Sequence, residues 1–124
     1  MEKETGNTFS QTIRITENHT AIHYGSGLLP VFATPALIAL MENTAMQLIT
    51  LPEGCSSVGI SINMKHLKAS PVGADIHCTA TLTGVEGRKY TFEIIATDNQ
   101  LQLVGKAIHE RVIVEIDRFM SKIA

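Results

Sequence analysis

The sequence of 124 residues has no tryptophan, only two cysteines and almost no excess of charge of either sign. Cys55 and Cys78 stand alone, without CxxC spacing or a matching histidine, so they predict neither a disulfide framework nor a metal site. The formal net charge of -2 offers no basic surface to a nucleic acid, and aromatic and basic residues do not cluster as in RNA-binding modules. Two reduced thiols and no nucleic-acid partner are therefore expected.

Long apolar runs are also missing. The first ten residues, MEKETGNTFS, lack the basic flank and apolar core of a signal peptide, and no later run reaches membrane-spanning length. Hydrophobic residues nevertheless make up 44% of the chain, as in a globular protein with a packed core. We therefore expect a single cytoplasmic domain over residues 1–124, without a membrane partner.

Several stretches alternate apolar and polar side chains, which is the pattern of half-buried strands. Residues 8–16 predict a first strand, and the alternation is cleanest in SVGISINMKHL, residues 57–67. In that stretch Gly59 falls on the outer side, and the core-facing set is Ile60, Ile62, Met64 and His66. Further strands are predicted at 75–85, 88–97 and 101–116, with a tight turn at 86–87.

Residues 35–50 predict one long helix, because Thr34 suits the N-cap position and Pro35 suits the first helical turn. Its apolar residues surround the helix axis: Ala36, Leu37, Ile38, Ala39, Leu40, Met41, Ala45, Met46, Leu48 and Ile49. A helix of this composition is expected to be buried. Together with the strands it indicates an α+β fold, in which a curved antiparallel sheet wraps around one long central helix.

Glu42 interrupts this apolar helix, and two explanations are open. With Asn43 and Gln47 it could form a narrow polar strip that faces water. Alternatively, apolar helical neighbours such as Ile38 and Met46 keep water away and make the carboxylate a stronger proton acceptor. The second environment is the one that favours a catalytic base.

His66 allows the same two explanations. A single histidine at the end of an apolar strand face is commonly a hydrogen-bonded residue of the core or its rim. If Glu42 and His66 both face the helix–sheet interface, they form an interacting pair of titratable groups, as catalytic sites do. The pair is the first candidate site in the sequence.

Four stretches together resemble one known family: VFATPALIALMEN, VGISINMKH, GVEGRKYTFEIIATD and GKAIHERVIV. Their order and spacing, from about residue 30 to 120, are similar to those of the hotdog-fold acyl-CoA thioesterases, and most of all to the fluoroacetyl-CoA thioesterase group. The resemblance implies a hotdog fold and hydrolysis of a small acyl-CoA. It implies no cofactor, because coenzyme A is part of the substrate.

The resemblance also assigns five residues. The Thr, Glu and His of the family's active site fall on Thr34, Glu42 and His66. A glycine whose backbone lies beside the bound thioester falls on Gly59. An arginine near the end of the last strand falls on Arg111, which could meet the phosphates of coenzyme A. All five positions hold the family's residue type.

The sequence departs from the fluoroacetyl group around the start of the helix. Phenylalanines of that group's lid fall near Gly25 and Leu28, neither of which is aromatic, so the organofluorine substrate is not carried over. Tyr24 or Phe32 could rebuild such a lid. The glycine that follows the family's threonine is replaced by Pro35, which removes one backbone donor from the start of the helix.

Helical geometry separates two of the implied site residues. On an ideal helix Thr34 and Glu42 lie roughly 12 Å apart along the axis and about 80° apart around it. Both can serve one substrate only if the substrate spans this gap or a second chain supplies one of them. Because hotdog proteins form active sites between paired subunits, we expect a homodimer or a dimer of dimers with composite sites.

Three functions are open to a chain of this kind. Thioester hydrolysis needs one activated carboxylate, because a thiolate with a pKa of roughly 8.5 leaves readily and attack on the carbonyl is the difficult step. Glu42 would then be a general base or a nucleophile. A hotdog dehydratase or hydratase needs another acid–base arrangement, such as an HxxxxD pairing, which the sequence lacks. A noncatalytic acyl-CoA binding module would not need Thr34, Glu42 and His66 together.

Overall fold

The computed structural model describes residues 5–124, so the first four residues of the N-terminal stretch discussed above lie outside it. Within the described range the strands are β1 (Thr8–Arg14), β2 (Cys55–His66), β3 (Asp75–Glu86), β4 (Lys89–Thr97) and β5 (Leu103–Glu115). The α-helices are α1 (Ala21–Tyr24), α2 (Thr34–Met46) and α3 (Ile116–Ser121), and a short 3-10 helix covers Glu17–His19. No helix in this range is long and apolar enough to cross a membrane.

The five strands form one antiparallel sheet in the order β1-β3-β4-β5-β2. Helix α2 contacts all five of them, and its buried side chains meet those of the inner sheet face in the core. This confirms the α+β prediction and the hotdog architecture, although the central helix has only 13 residues. Strand β2 lies at one edge and is hydrogen-bonded to β5 alone among the described strands.

Helix α2 lies close to the sheet because β5 carries Gly105 opposite it. A side-chain carbon at Gly105 would lie 2.8 Å from Leu37 Cδ2 and 3.1 Å from the carbonyl oxygen of Lys65. Real side chains essentially never approach so closely, so a glycine is needed for this packing. Leu37 and Met41 are fully buried at the contact.

Three predictions about α2 were wrong. The N-cap is Ala33 without a side-chain cap, and Thr34 is the first helical residue. The helix ends at Met46, four positions before the predicted end, and a turn follows. The helix is also not buried all round, because Ala39 is exposed and Met46 is 40% exposed. One stripe of the helix, with apolar Ala39 and Met46 and polar Asn43, therefore faces away from its own core.

Strand β2 contains an irregularity that simple alternation did not predict. The pairing with β5 shifts between Gly59 and Ser61, so Ile60 is an extra residue of a β-bulge. The bulge turns Ile60 outward, where it is 53% exposed, and brings Gly59 to the inner face beneath α2. The prediction that placed Ile60 inside and Gly59 outside was therefore wrong.

The remaining strand predictions differ from the structure only at their ends. The β3–β4 hairpin turns at Gly87 and Arg88 rather than at 86–87, since Glu86 pairs with Lys89. Strand β5 ends at Glu115, and the short helix α3 after it was not predicted. The segment before α2, predicted as a loop, contains the 3-10 helix and α1.

Candidate active site

The five residues implied by the resemblance form two separate groups within one chain. Thr34 and His66 are hydrogen-bonded to each other at the start of α2, and we call them the Thr–His pair. Glu42 meets Gly59 and Arg111 farther along the helix, and these three with His109 form the carboxylate cluster. Among the described residues no hydrogen bond or ion pair joins Glu42 to His66 or to Thr34.

The Thr–His pair lies at the wall of a surface cleft. Thr34 Oγ1 and His66 Nδ1 are 2.8 Å apart, which explains why the threonine hydroxyl does not cap its own helix. The ring of Phe32 meets the His66 imidazole edge-on, with centroids 6.2 Å apart. The cleft has a volume of about 340 Å³ and is completed by residues 67–69 and by α1 and the loop before α2.

His66 is suited to proton transfer. Burial lowers the pKa of this imidazole, and the backbone of Lys68 offsets part of that effect. Its Nε2 atom is buried and makes no hydrogen bond of normal geometry to any described residue. A neutral imidazole has one proton and one lone pair, so His66 can exchange a proton through the contact of its Nδ1 with Thr34.

Glu42 points from α2 towards the inner face of β2 and β5. Its Oε2 atom lies 3.4 Å from Arg111 Nη1 and 3.8 Å from His109 Nε2. The side chain is still 38% exposed, so the predicted exclusion of water is not achieved by one chain alone. Asn43 and Gln47 are exposed and hydrogen-bond to each other, as in the alternative of a solvated polar strip, and the partly exposed Glu42 lies beside them.

Gly59 provides the room that the Glu42 carboxylate occupies. A side-chain carbon at this position would overlap Glu42 Oε2 and would lie 3.2 Å from His109 Cε1 and 3.4 Å from Arg111 Nη1. The β2 bulge and the absence of a side chain are both needed for this approach. Glycine here therefore sets how close the carboxylate lies to the sheet.

Arg111 is buried and holds the cluster together. Its Nε donates to Ser57 Oγ at 3.0 Å, and its Nη2 donates to the Ser57 carbonyl at 3.1 Å. Burial lowers the pKa of the guanidinium, and the charge of Glu42 opposes that shift. An arginine stays charged under these conditions. With its donors turned to Ser57 and Glu42, Arg111 has little surface left for a phosphate of coenzyme A.

His109 was missed by the sequence analysis. It is fully buried, and its ring stacks on Phe92 with centroids 6.1 Å apart. The signal was present in the HER motif, because residues two positions apart on a strand share one face and His109 must accompany Arg111. Burial is the main cause that lowers the pKa of His109, and the charge of Arg111 acts in the same direction.

Neither cysteine belongs to the site. Cys55 and Cys78 are both free thiols, and Cys78 is fully buried in the core. Burial raises the pKa of the Cys78 thiol to about 11, so it stays protonated near neutral pH. A cysteine nucleophile is therefore not part of the chemistry that this arrangement offers.

Comparison with known proteins points to one family. A family model described as fluoroacetyl-CoA-specific thioesterase matches residues 15–117 of the chain. The fluoroacetyl-CoA thioesterase of Streptantibioticus cattleyicolor is 33% identical to the chain over 95 residues, which are 75% of this chain and 68% of that protein.

Solved structures agree with the sequence comparison. One crystal structure of a fluoroacetyl-CoA thioesterase superposes with a TM-score of 0.93 at 27% identity, covering 99% of this chain and 96% of the other. Variants of that enzyme have been solved with fluoroacetate and CoA and with acetyl-CoA. A thioesterase superfamily member from Thermus thermophilus, 21% identical over 98% of this chain and 91% of its own, shares the fold with a TM-score of 0.91.

The two histidines of the site predict how stability depends on pH. Burial lowers the folded-state pKa of His66 and His109, so below about pH 6.5 the unfolded chain binds protons that the folded chain does not. The free energy of unfolding should therefore be highest above that pH and should fall as the pH drops towards the folded-state pKa values. Urea unfolding between about pH 7.5 and about pH 5 measures it.

His109→Gln should lose part of this pH dependence, because it removes one of the two titrating groups. The matched substitution His23→Gln changes an exposed histidine of α1 and should leave the dependence as it is. An unfolding free energy that stays constant in wild type over this pH range would contradict the expectation.

Proposed function

We propose a residue-level mechanism for this chain, which belongs to the family of fluoroacetyl-CoA-specific thioesterases and is an acyl-CoA thioesterase. Glu42 acts on the thioester carbonyl, either as the base for a water molecule or as the nucleophile itself. Thr34 and His66 bind and orient the reacting groups. The observation that carries this proposal is the Glu42 carboxylate, which is held above Gly59 by Arg111 and is still open to a substrate.

The contacts of Glu42 fit either role. Arg111 reaches only one carboxylate oxygen, at 3.4 Å, so the other oxygen is free to take a proton from water or to attack the carbonyl. As a nucleophile, Glu42 would form a mixed anhydride and release coenzyme A as a thiolate, and water would then open the anhydride. As a base, it would take the proton of the water that attacks. Both routes end in free acid and coenzyme A.

The oxyanion formed in either route needs hydrogen-bond donors. Pro35 has no N–H group, so the first turn of α2 offers one donor fewer than usual. The N–H groups in the first turn of α2, which lacks a side-chain cap, and those near Gly59 are the candidates for this role.

A second copy of the chain would join the Thr–His pair to the carboxylate cluster. Gly59 and His66 lie near opposite ends of the edge strand β2, roughly 20 Å apart along an extended strand. If β2 pairs antiparallel with its own copy about a twofold axis between Ile62 and Asn63, His66 comes opposite Gly59 of the partner subunit. Each dimer then has two composite sites.

The surface around Glu42 supports this assembly. The open stripe of α2 is apolar on both sides of the carboxylate, with Ala39 and Met46 exposed and Ile38 half-buried. The unpaired edge of β2 lies beside it, because Glu42 contacts Gly59 of that strand. Pairing through this side would cover the exposed apolar residues and remove water from Glu42, which is the second of the two environments that the sequence left open. A dimer of dimers would contain the same sites.

The substrate we propose is a small acyl-CoA without a strong requirement for fluorine. Leu28 is 91% exposed and Tyr24 is 45% exposed, and neither lines the cleft beside the Thr–His pair. Phe32 is buried against His66 and forms part of the wall instead of a lid. Hydrolysis of this kind needs no cofactor, and we expect it to take place in the cytoplasm.

Replacing the Glu42 carboxylate tests its role in the reaction. The isosteric change Glu42→Gln keeps the side-chain volume and an acceptor for Arg111 but removes the basicity, so thioester hydrolysis should fall by about 10²-fold or more. Glu53→Gln makes the same change at an exposed residue outside the site and should leave the rate unaltered. Release of free thiol from a panel of short acyl-CoAs measures both variants, with urea unfolding to confirm the fold.

Wild-type protein that binds acyl-CoA without releasing thiol would favour the noncatalytic binding module. Hydration of an enoyl-CoA, scored in the same panel, would favour the hydratase. Near wild-type thiol release by Glu42→Gln would eliminate Glu42 as base or nucleophile.

Mixing subunits tests whether the site is composite. Glu42→Gln and His66→Ala should each be inactive alone, but a mixed dimer keeps one site with both native residues. After random exchange about half of the dimers are mixed, so about a quarter of wild-type activity should return. As a control, Glu42→Gln mixed with the double variant Glu42→Gln/His66→Ala should stay inactive. No recovery in the first mixture, with exchange verified by mass spectrometry, would mean that one chain supplies both residues.

Selectivity between acyl groups tests whether the cleft is open. Because no aromatic lid closes the cleft, discrimination between fluoroacetyl-CoA and acetyl-CoA should stay within the roughly 10- to 200-fold that a small change of group supplies in an apolar pocket. The ratio of kcat/KM for the two substrates is the measurement. A preference of four or more orders of magnitude for fluoroacetyl-CoA would show that other residues rebuild the lid.

A further inference from the structure

His109 links the backbone of β2 to the guanidinium of Arg111. Its Nδ1 atom lies 2.8 Å from the carbonyl oxygen of Ser61, the residue that follows the β2 bulge. Its Nε2 atom lies 3.2 Å from Arg111 Nη1. The ring is fully buried and stacked on Phe92, so it has no freedom to turn away from either partner.

These two partners determine the protonation state of the ring. A carbonyl oxygen only accepts hydrogen bonds, so Nδ1 must carry a proton to bond to Ser61. A guanidinium only donates, so Nε2 must offer a lone pair to Arg111. His109 is therefore neutral with its proton on Nδ1, and its approach to Glu42 at 3.8 Å is not an ion pair.

The same bond decides what Arg111 can do with Glu42. The Nη1 atom is shared between His109 at 3.2 Å and Glu42 at 3.4 Å. Without the acceptor on His109, Nη1 would have Glu42 as its remaining partner, and the two opposite charges would draw closer together. The carboxylate would then move from its place above Gly59 and lose the open oxygen that the reaction needs.

We propose that His109 is a positioning residue, which as a neutral imidazole ties Arg111 to the Ser61 carbonyl and thereby fixes the place of the Glu42 carboxylate. It is not a catalytic residue, because it is buried and reaches substrate only through Arg111 and Glu42. The inference rests on the proposed role of Glu42 in thioester hydrolysis. Its first readout, however, needs no substrate.

The first test is the proton position in the resting protein. In ¹⁵N spectra of the histidine side chains, His109 should show the neutral form with the proton on Nδ1 near pH 7, and the signal is assigned by its absence in His109→Gln. Arg111→Met removes the group that donates a hydrogen bond to His109 Nε2, so the proton of the ring should no longer be confined to Nδ1. A proton on Nε2, or a doubly protonated ring in wild type, would overturn the inference whether or not the protein hydrolyses thioesters.

The second test compares two amides that each keep one of the two hydrogen bonds. His109→Asn keeps a donor near Nδ1 for Ser61 but has no acceptor within reach of Arg111. His109→Gln has an amide oxygen that can reach Arg111. A positioning role predicts that kcat falls by about 10-fold or more in His109→Asn and less in His109→Gln, with little change in KM. A role in stability alone predicts activities that follow the unfolding free energies instead, and that result would overturn the proposal.

A double-mutant cycle then asks whether His109 acts through Arg111. In an Arg111→Met background, His109→Asn should cause no further loss of kcat, because the bond that it removes is already absent. If Arg111→Met does not fold, Arg111→Lys serves as the background, since lysine cannot donate to His109 and Ser57 in the same fork. If the losses of kcat caused by the two substitutions multiply in either background, the proposal is overturned. Absence of thiol release by wild type would overturn only the proposed function.

Discussion

The close packing of α2 on the inner sheet face is the constraint on which the rest of the structure depends. It requires positions on the facing strands that carry no side chain, and Gly105 and Gly59 supply them at two points along the helix. At Gly105 the helix presents Leu37 and Met41, and the result is a sealed core. At Gly59 it presents Glu42, and the result is a carboxylate held against the sheet. The same packing therefore places apolar side chains against the sheet at one point and a partly exposed carboxylate at the other.

A charged pair at the edge of a core is costly unless its hydrogen bonds are satisfied. Here Ser57 takes two donors of Arg111, and His109 and Glu42 share a third nitrogen. The neutral state of His109 matters because a second positive charge beside the guanidinium would be unfavourable in a buried place. In this network the neutral His109 ring accepts a hydrogen bond from the buried Arg111 without adding charge, while Arg111 also contacts the partly exposed Glu42 carboxylate.

The chain keeps the Thr–His pair and the carboxylate cluster apart, and the separation has a geometric cause. A helix of 13 residues directs Thr34 and Glu42 to different places along the sheet, and β2 carries His66 and Gly59 towards the same two places. The unpaired edge of β2 and the open apolar stripe of α2 lie on one side, around Glu42. A second copy that pairs with β2 as proposed would cover both features with one partner surface.

The sequence by itself determined the α+β class, the order of the strands along the chain, the helix around Glu42 and the family, because alternation, turn residues and motif spacing are local signals. Only the tertiary structure decided that Gly59 faces inward, that Thr34 bonds to His66 instead of capping α2, and that His109 joins the carboxylate cluster. Each of these depends on partners far apart in the chain, such as Ser61 and His109, which are 48 positions apart. A bulge of one residue reverses the alternation of inward and outward side chains on one side of it, so the alternating pattern assigned Gly59 and Ile60 to the wrong faces. The protonation of a buried ring is set by the donors and acceptors that folding brings to it.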